Sequence, residues 1–188
     1  FDLIDRPPKE NFYKAFDELK TYGAIDIYNN LTDLGKKMCV LPLEPIYAKI
    51  LINSLSPDFN KVRDDVLTII SVLQTDNIFY TPSVIKEKAE KIREKFTHQI
   101  SDHLTFLNVF NQWKENINNR NWARDHFLNE KSLRKANDIK KQLKGYLDKI
   151  DNKKETEMDK MENILIEIEE SKNDKNERED LIIKCLLT

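Results

Sequence analysis

The sequence predicts a mostly α-helical fold for the 188-residue chain. Only three glycines are present, whereas strands, tight turns and phosphate-cradling loops use glycine for positive φ or close backbone approach. Good helix formers such as Leu, Lys and Glu fill the chain, and apolar residues recur at the spacing of a helical stripe. With 39% hydrophobic and 34% charged residues, the chain can form a core beneath a strongly ionised surface. Its length fits one domain, or one domain with a small companion.

The first 40 residues predict a helix followed by a short hairpin. Gly23 is a good C-terminal stop for the helix, and AIDIYNNLTDLG then alternates apolar and polar residues around Asn29 and Asn30. Helix, hairpin and the following LTDLGKKM are typical of part of a winged-helix unit. The earlier helices of such a unit are missing, which predicts a chain cut within that domain. The apolar stripe of the helix consists of Phe12, Ala15, Phe16 and Leu19.

The next part of the chain, residues 41–150, predicts a helical bundle. Pro45 suits the first turn of a helix, and we expect Asp58 to cap a later helix that contains the apolar run VLTIISVL, residues 66–73. A helix that is apolar on all sides is usually the buried centre of a bundle. Further helices are predicted over 84–96, from Ser101, and around Trp122 and Phe127. A long helix capped by an asparagine should close the bundle. Its cap and inward-facing residues are Asn129, Leu133, Ala136, Leu143, Leu147 and Ile150.

The last part of the chain changes character twice. Residues 151–180 contain twelve acidic and six basic residues, and such a low-complexity segment is either a solvated helix or disordered. Residues 181–188 are apolar again and break off as though another domain should follow. The predicted division is therefore 1–40, 41–150, 151–180 and 181–188.

Charge and cysteine content limit the classes of function. The net charge is −2 with a pI near 6.0, so the whole chain has no bulk attraction to nucleic acid or to an anionic membrane. Between Lys131 and Lys149, however, seven basic residues face two acidic ones. Two interpretations are open: the basic face of this helix neutralises phosphates of a nucleic acid, or it is simply exposed to solvent. Cys39 and Cys185 lack metal-ligand spacing, and no apolar run approaches membrane-spanning length.

The stretch FTHQISDHLT, residues 96–105, is the main candidate for a metal or catalytic site. His98 and His103 are five residues apart and would lie on different faces of one helix, whereas zinc needs three or four converging ligands. A helix start explains the stretch better, with the Ser101 hydroxyl as cap and Asp102 in the first turn. The sequence also has no P-loop, dinucleotide fingerprint or nucleophile elbow. We therefore do not expect the chain alone to be a complete enzyme.

Several aromatic residues lie at the spacing of apolar stripes, which favours core positions over base-stacking platforms. They are Phe79, Tyr80, Phe110, Trp113, Trp122 and Phe127.

Six segments in order resemble the C-terminal region of DEAH-box RNA helicases, the ATPases of pre-mRNA splicing and ribosome biogenesis. The resemblance runs from Phe1 to about Leu147 and resumes at LIIKCLLT. Ser101 stands where the family usually has glycine, Ala123 where cysteine is frequent, and Phe110 where tyrosine is usual; all three changes are compatible with packing. The segments are FDLIDRPPKENFYKAFDELKTYGAID, LTDLGKKMCVLPLEPIYAKILI, NIFYTP, SDHLTFLNVFNQWKEN, NWARDHFL and SLRKANDIKKQL.

The resemblance implies the end of a winged-helix domain, then a helical-bundle or ratchet domain, with residues 181–188 as the entry to an absent OB-fold. The acidic segment 151–180 has no counterpart in the helicase family that the other segments resemble. The resemblance also implies that this nuclear module closes one side of a single-stranded RNA channel. ATP and Mg²⁺ would bind in the RecA-like domains of the parent protein, with no cofactor in this chain. Other implied partners are spliceosomal or preribosomal proteins and a G-patch activator, but no membrane.

The predicted site residues combine the basic helix with the family-like motifs. Arg134 and Lys135 would contact phosphate, and Asn108 and Ser132 would be polar contacts. Asp102, His103 and Thr105 come from the Asp-His-Leu-Thr helix, with bracing of neighbouring helices as the alternative for His103. The expected partner surface contains Phe12, Tyr13 and Phe16. The alternative function is a free-standing helical adaptor that binds proteins and no RNA.

Overall fold

The computed structural model of the chain describes residues 7–82, 85–151 and 175–187, and these residues are mostly helical without a strand. The prediction of a mostly α-helical fold is confirmed. A 3₁₀ helix, Pro57–Val62, precedes α4. The α-helices are α1 (Lys9–Thr21), α2 (Asp33–Met38), α3 (Pro45–Asn53), α4 (Arg63–Leu73), α5 (Lys86–Arg93), α6 (Asp102–Glu115), α7 (Trp122–Asp125), α8 (Glu130–Asp151) and α9 (Lys175–Leu186).

The helix α1 ends as the sequence predicts, at a glycine in the left-handed region. Gly23 has φ +72°, and its N–H donates to the Lys20 carbonyl at 2.9 Å while the Ala24 N–H donates to the Leu19 carbonyl at 2.9 Å. These two bonds form a Schellman motif, which satisfies carbonyl groups that the end of the helix leaves unpaired. The side chains of α1 are not buried in this structure.

The predicted hairpin is only a tight turn. A single antiparallel bridge joins Ile25 and Leu31, and the Asp26 carboxylate accepts hydrogen bonds of 2.8 Å from the Tyr28 and Asn30 N–H groups. These bonds, above all the one from Asn30, lower the pKa of Asp26. The segment therefore forms one bridge and no strand pair. Hydrogen bonds to the Asp26 side chain close the turn between the two bridged residues.

The centre of the bundle is α4, as its apolar composition predicts. Val66, Ile69 and Ile70 have no solvent exposure, and α3, α6, α8 and α9 all contact this helix. The inward stripe predicted for α8 is confirmed, since Leu133, Ala136, Leu143, Leu147 and Ile150 are all buried. Burial of each of these leucine and isoleucine side chains stabilises the fold by about 1.5–3 kcal/mol.

The predicted cap at Asp58 is wrong. Asp58 lies in the first turn of the 3₁₀ helix, and α4 begins at Arg63 without a side-chain cap. The Arg63 guanidinium instead donates to the carbonyl groups of Ser54 and Leu55, at 3.1 and 3.3 Å, and to the Asp151 carboxylate at 3.1 Å. One arginine therefore ties the end of α3 to the end of α8.

The last helix, α9, packs on the bundle through both apolar and charged contacts. Ile182 and Cys185 are buried in the core shared with α3 and α4. Arg178 donates to the Asp65 carboxylate at 2.7 Å, and this hydrogen bond raises the pKa of Arg178. Position 181, where the sequence predicts a domain boundary, lies inside α9. Residues 152–174, most of the predicted acidic segment, lie outside the described residues.

Within the described ranges, no helix combines the length and apolar character that crossing a bilayer would require.

Candidate nucleic-acid interface

The first turns of α8 present the most concentrated cationic surface that the sequence predicts. Asn129 caps the helix as expected, because its Oδ1 accepts the Ser132 N–H at 3.3 Å. Lys131, Arg134 and Lys135 are exposed on the face opposite the buried stripe. Arg134 also bonds Glu130 at 2.6 Å, an exposed i,i+4 pair of the kind that contributes little stability. This face is therefore open to an anionic ligand.

The predicted RNA contacts Thr105 and Asn108 of α6 and Ser132 of α8 are less accessible than these cations. Thr105 is 4% exposed and Ser132 is 3% exposed. The Thr105 hydroxyl accepts the His98 N–H at 2.8 Å, and the Asn108 amide donates to the Phe96 carbonyl at 3.2 Å. Thr105 and Asn108 thus hold the loop that precedes α6 against the helix.

Asp102 and His103 are exposed at the start of α6. Ser101 occupies the N-cap position, but its side chain accepts no capping hydrogen bond, so the predicted hydroxyl cap is wrong. His103 lies at the edge of an apolar groove of about 210 Å³, which Ile183 and Leu186 of α9 also line. His103 therefore stands beside α9.

The packing of α6 against α8 separates the predicted residues into two groups. Lys114 bonds Asn137 at 3.0 Å, whereas Phe110, one turn earlier in α6, lies 5.8 Å from the Lys140 amino group, one turn later in α8. The helices are therefore antiparallel. Asp102 lies about 18 Å along α6 from Lys114, given a rise of about 1.5 Å per residue. The start of α6 and the start of α8 are consequently at opposite ends of the bundle.

The end that carries Arg134 and Lys135 also carries cations that the sequence analysis did not single out. Lys114 lies in the last turn of α6, Arg120 lies in the segment that follows, and Arg124 lies in α7; all three are exposed. Counting charges along α8 alone could not find them, because the chain brings three separate segments together here. We call this group of exposed cations, Lys114, Arg120, Arg124, Lys131, Arg134 and Lys135, the cationic end; within it Arg124 lies 3.7 Å from Asp125 and Arg134 is paired with Glu130.

His98 and His103 of the stretch 96–105 do not form a metal centre with other described residues. Within the described residues, no group of three or more His, Cys, Asp or Glu side chains converges. His98 contacts Glu179 of α9 instead, with 3.0 Å between Nε2 and Oε2. This contact joins the loop before α6 to the last helix.

Comparison with known proteins decides the family. Residues 15–43 match the winged-helix part of the helicase associated domain (HA2), and residues 44–106 match its ratchet-like part. The chain belongs to the helicase-associated HA2 family. The match confirms the resemblance to the C-terminal region of DEAH-box RNA helicases, and the boundary between the two HA2 parts lies just before α3.

A relative of this HA2 chain is the pre-mRNA-splicing factor ATP-dependent RNA helicase prp22 of Schizosaccharomyces pombe. The two are 36% identical over 149 residues, which are 79% of this chain and 12% of the relative. The chain therefore spans about one eighth of the relative's length and corresponds to an accessory helicase module.

Proposed function

We propose that this HA2 chain is the accessory C-terminal module of a DEAH-box ATP-dependent RNA helicase acting in the nucleus on pre-mRNA splicing or ribosome biogenesis. It would form part of the wall of a single-stranded RNA channel. Nucleotide hydrolysis in RecA-like domains, where ATP and Mg²⁺ would bind, would then drive movement of RNA past this wall or remodelling of an RNA–protein complex. The similarity to a splicing helicase supports this assignment.

The observation that carries the channel proposal is the pair Arg134 and Lys135, exposed on a rigid helix in a chain of this family. The buried stripe of α8 holds the helix in place, so the backbone that carries the two cations is already ordered. The cations that α6 and α7 add at the same end extend the surface beyond one helix. The proposal rests on the exposed residues and not on Thr105 and Ser132, which are buried.

The exposed aromatic face of α1 supports a second contact. Phe12, Tyr13 and Phe16 remain exposed, and exposed aromatic groups of this kind mark protein interaction surfaces. We assign this face to a protein partner such as a G-patch activator or a spliceosomal or preribosomal protein.

The test is the double substitution Arg134→Ala/Lys135→Ala in the full-length protein. Loss of two phosphate contacts should weaken binding of a single-stranded RNA oligonucleotide and reduce the slope of log K against log salt by about 1.4, since each contact contributes about 0.7 for single strands. RNA-stimulated ATPase activity should fall in parallel, while basal ATPase activity should not change.

The matched control is Lys88→Ala/Lys91→Ala, which removes two exposed cations from α5 and should leave the salt slope unchanged. If the α8 variant keeps its RNA affinity, salt slope and stimulated ATPase activity, this surface is not in the channel. Full-length protein without any RNA binding would support the adaptor alternative.

A further inference from the structure

We propose that Tyr80 is a nucleobase-stacking residue beside the cationic end, and that this end takes an unpaired base on Tyr80 while its cations hold the adjoining phosphates. The inference rests on the proposed function and adds the part of the surface that contacts bases. It reverses the expectation that Tyr80 is a core residue.

Tyr80 is 61% exposed, although it lies within a segment that is packed on the bundle. Ile78 is buried, and Phe79 forms a bridge with Leu128. The Arg93 guanidinium lies 4.0 Å from the centre of the Phe79 ring. The fold therefore buries Ile78, covers the Phe79 ring with Arg93 and leaves the Tyr80 ring in solvent.

Backbone hydrogen bonds on both sides hold the segment that carries Tyr80. The Tyr80 N–H donates to the Phe127 carbonyl at 2.8 Å, and the Asn129 N–H donates to the Ile78 carbonyl at 2.8 Å. The Asn77 side chain accepts the Phe79 N–H at 2.9 Å. The exposed ring is thus mounted on a fixed backbone, which lowers the conformational entropy lost when a ligand stacks on it.

The carbonyl group that holds Tyr80 belongs to a residue in an unusual conformation. Phe127 has φ +54°, a region that costs a residue with a side chain roughly 1–2 kcal/mol. The Leu128 N–H donates to the Ala123 carbonyl at 2.8 Å, and the Phe127 N–H donates to the Arg124 carbonyl at 3.1 Å. This is the motif that Gly23 makes at the end of α1, here with phenylalanine in the glycine position. Such strained residues cluster at functional sites.

The same backbone hydrogen bonds bring the segment that carries Tyr80 next to segments that carry cations. Phe127 connects the backbone of Tyr80 to that of Arg124, whose side chain is 77% exposed. The helix that carries Lys131 and Lys135 begins three residues after Phe127. The exposed ring of Tyr80 thus lies in a segment whose backbone is bonded next to α7 and to the start of α8, the two helices that carry Arg124, Lys131 and Lys135. Arg124 also lies 3.7 Å from Asp125.

Single-stranded RNA matches this combination. Every base has a π-face that can stack on an aromatic side chain, whatever the sequence, and the phosphates on either side of it interact with Lys and Arg. The stacking does not depend on salt, whereas the phosphate contacts do. The two contributions can therefore be measured separately.

The test compares Tyr80→Ala and Tyr80→Phe in the full-length protein, with a uridine oligonucleotide as the probe. Tyr80→Ala should weaken binding by about fivefold or more, the effect of losing one stacked base, with an unchanged salt slope. Tyr80→Phe keeps the ring and should bind within about twofold of the unsubstituted protein. Tyr28→Ala removes another exposed tyrosine, 76% exposed, from the turn before α2 and is the matched control.

The outcomes separate this inference from the proposed function. If Tyr80→Ala binds normally while Arg134→Ala/Lys135→Ala binds weakly, stacking is wrong and the channel proposal stands. If neither variant loses affinity, both are wrong. A Tyr80→Ala defect that Tyr80→Phe shares would also overturn stacking, because the ring is then not sufficient. Thermal unfolding of each variant should match that of the unsubstituted protein, since Tyr80 is exposed.

Discussion

Cys39 and Cys185 are the same residue type in opposite environments. Cys39 is exposed and Cys185 is buried, and burial raises the pKa of the Cys185 thiol to about 11. The sequence predicts neither environment, because a free cysteine often packs as a small apolar residue but no local pattern fixes which of the two is buried. The structure decides it by placing Cys185 on the inner face of α9.

We predict that only one thiol of the native chain reacts with a thiol-specific reagent at pH 8, and that two react after unfolding in guanidinium chloride. The thiolate is the reactive form, and a buried thiol with a raised pKa stays protonated. The measurement is a spectrophotometric thiol count. A Cys39→Ser control should show no reactive thiol when folded, and rapid reaction of that control would contradict the prediction.

The raised pKa of Cys185 also makes the free energy of unfolding depend on pH. Because folding raises the pKa above its ordinary value of 9.0, the folded state keeps a proton that the unfolded state loses. The contribution of Cys185 to the free energy of unfolding is therefore constant below about pH 9 and declines as pH rises toward about 11.

Helix α8 illustrates how a helix is specified by its two faces. The buried face follows from apolar periodicity, whereas the outer face is constrained only by helix propensity. Gly145 lies on that outer face, and a Cβ added there would meet nothing within 4 Å. Glycine in the middle of a helix destabilises it because the unfolded chain gains more backbone freedom.

Gly145→Ala should therefore raise the free energy of unfolding by about 0.5–1 kcal/mol, measured by urea denaturation. Gly35→Ala in α2 is the contrasting variant. A Cβ at Gly35 would collide with the Ala24 carbonyl group, so this variant should lose about 1–3 kcal/mol. Equal effects of the two substitutions would show that packing does not decide the outcome.

Two ion pairs at the start of α4 join the end of α8 and the start of α9 to this central helix. Asp151, the last residue of α8, pairs with Arg63 at 3.1 Å, and Arg178 near the start of α9 pairs with Asp65 at 2.7 Å. Two positions that are far apart in the sequence are thus anchored two residues apart on one helix. The bundle is closed by these contacts together with the burial of Ile182 and Cys185.

We predict that replacing residues 152–174 with an eight-residue Gly/Ser linker leaves the bundle folded. Eight extended residues span roughly 26 Å, which is enough to join helices anchored on one turn of α4, and a shorter connection between α8 and α9 should add up to about 1 kcal/mol of stability. Circular dichroism and denaturant unfolding would measure this. Loss of cooperative unfolding would mean that 152–174 holds the core together, and adding Asp65→Asn should weaken the linker variant.

Local sequence patterns determined most of the helices before α9, the burial of α4, the inward face of α8 and the caps at Gly23 and Asn129. These features depend on hydrogen bonds and side-chain spacings within a few residues, which the sequence displays directly. The caps predicted at Asp58 and Ser101 were wrong because several partners compete for a helix start, and tertiary contacts choose among them.

Only the tertiary structure decided which of the predicted site residues lie close together. The antiparallel packing of α6 and α8 separates Asp102 and His103 from Arg134 and Lys135, and the pairing of residues 78–80 with 127–129 leaves Tyr80 exposed in a segment bonded next to α7 and α8. The sequence by itself determined a helical chain of the HA2 family with a basic helix. The composition of the candidate RNA surface came from contacts between segments distant along the chain, whose energies depend on packing that no local pattern encodes.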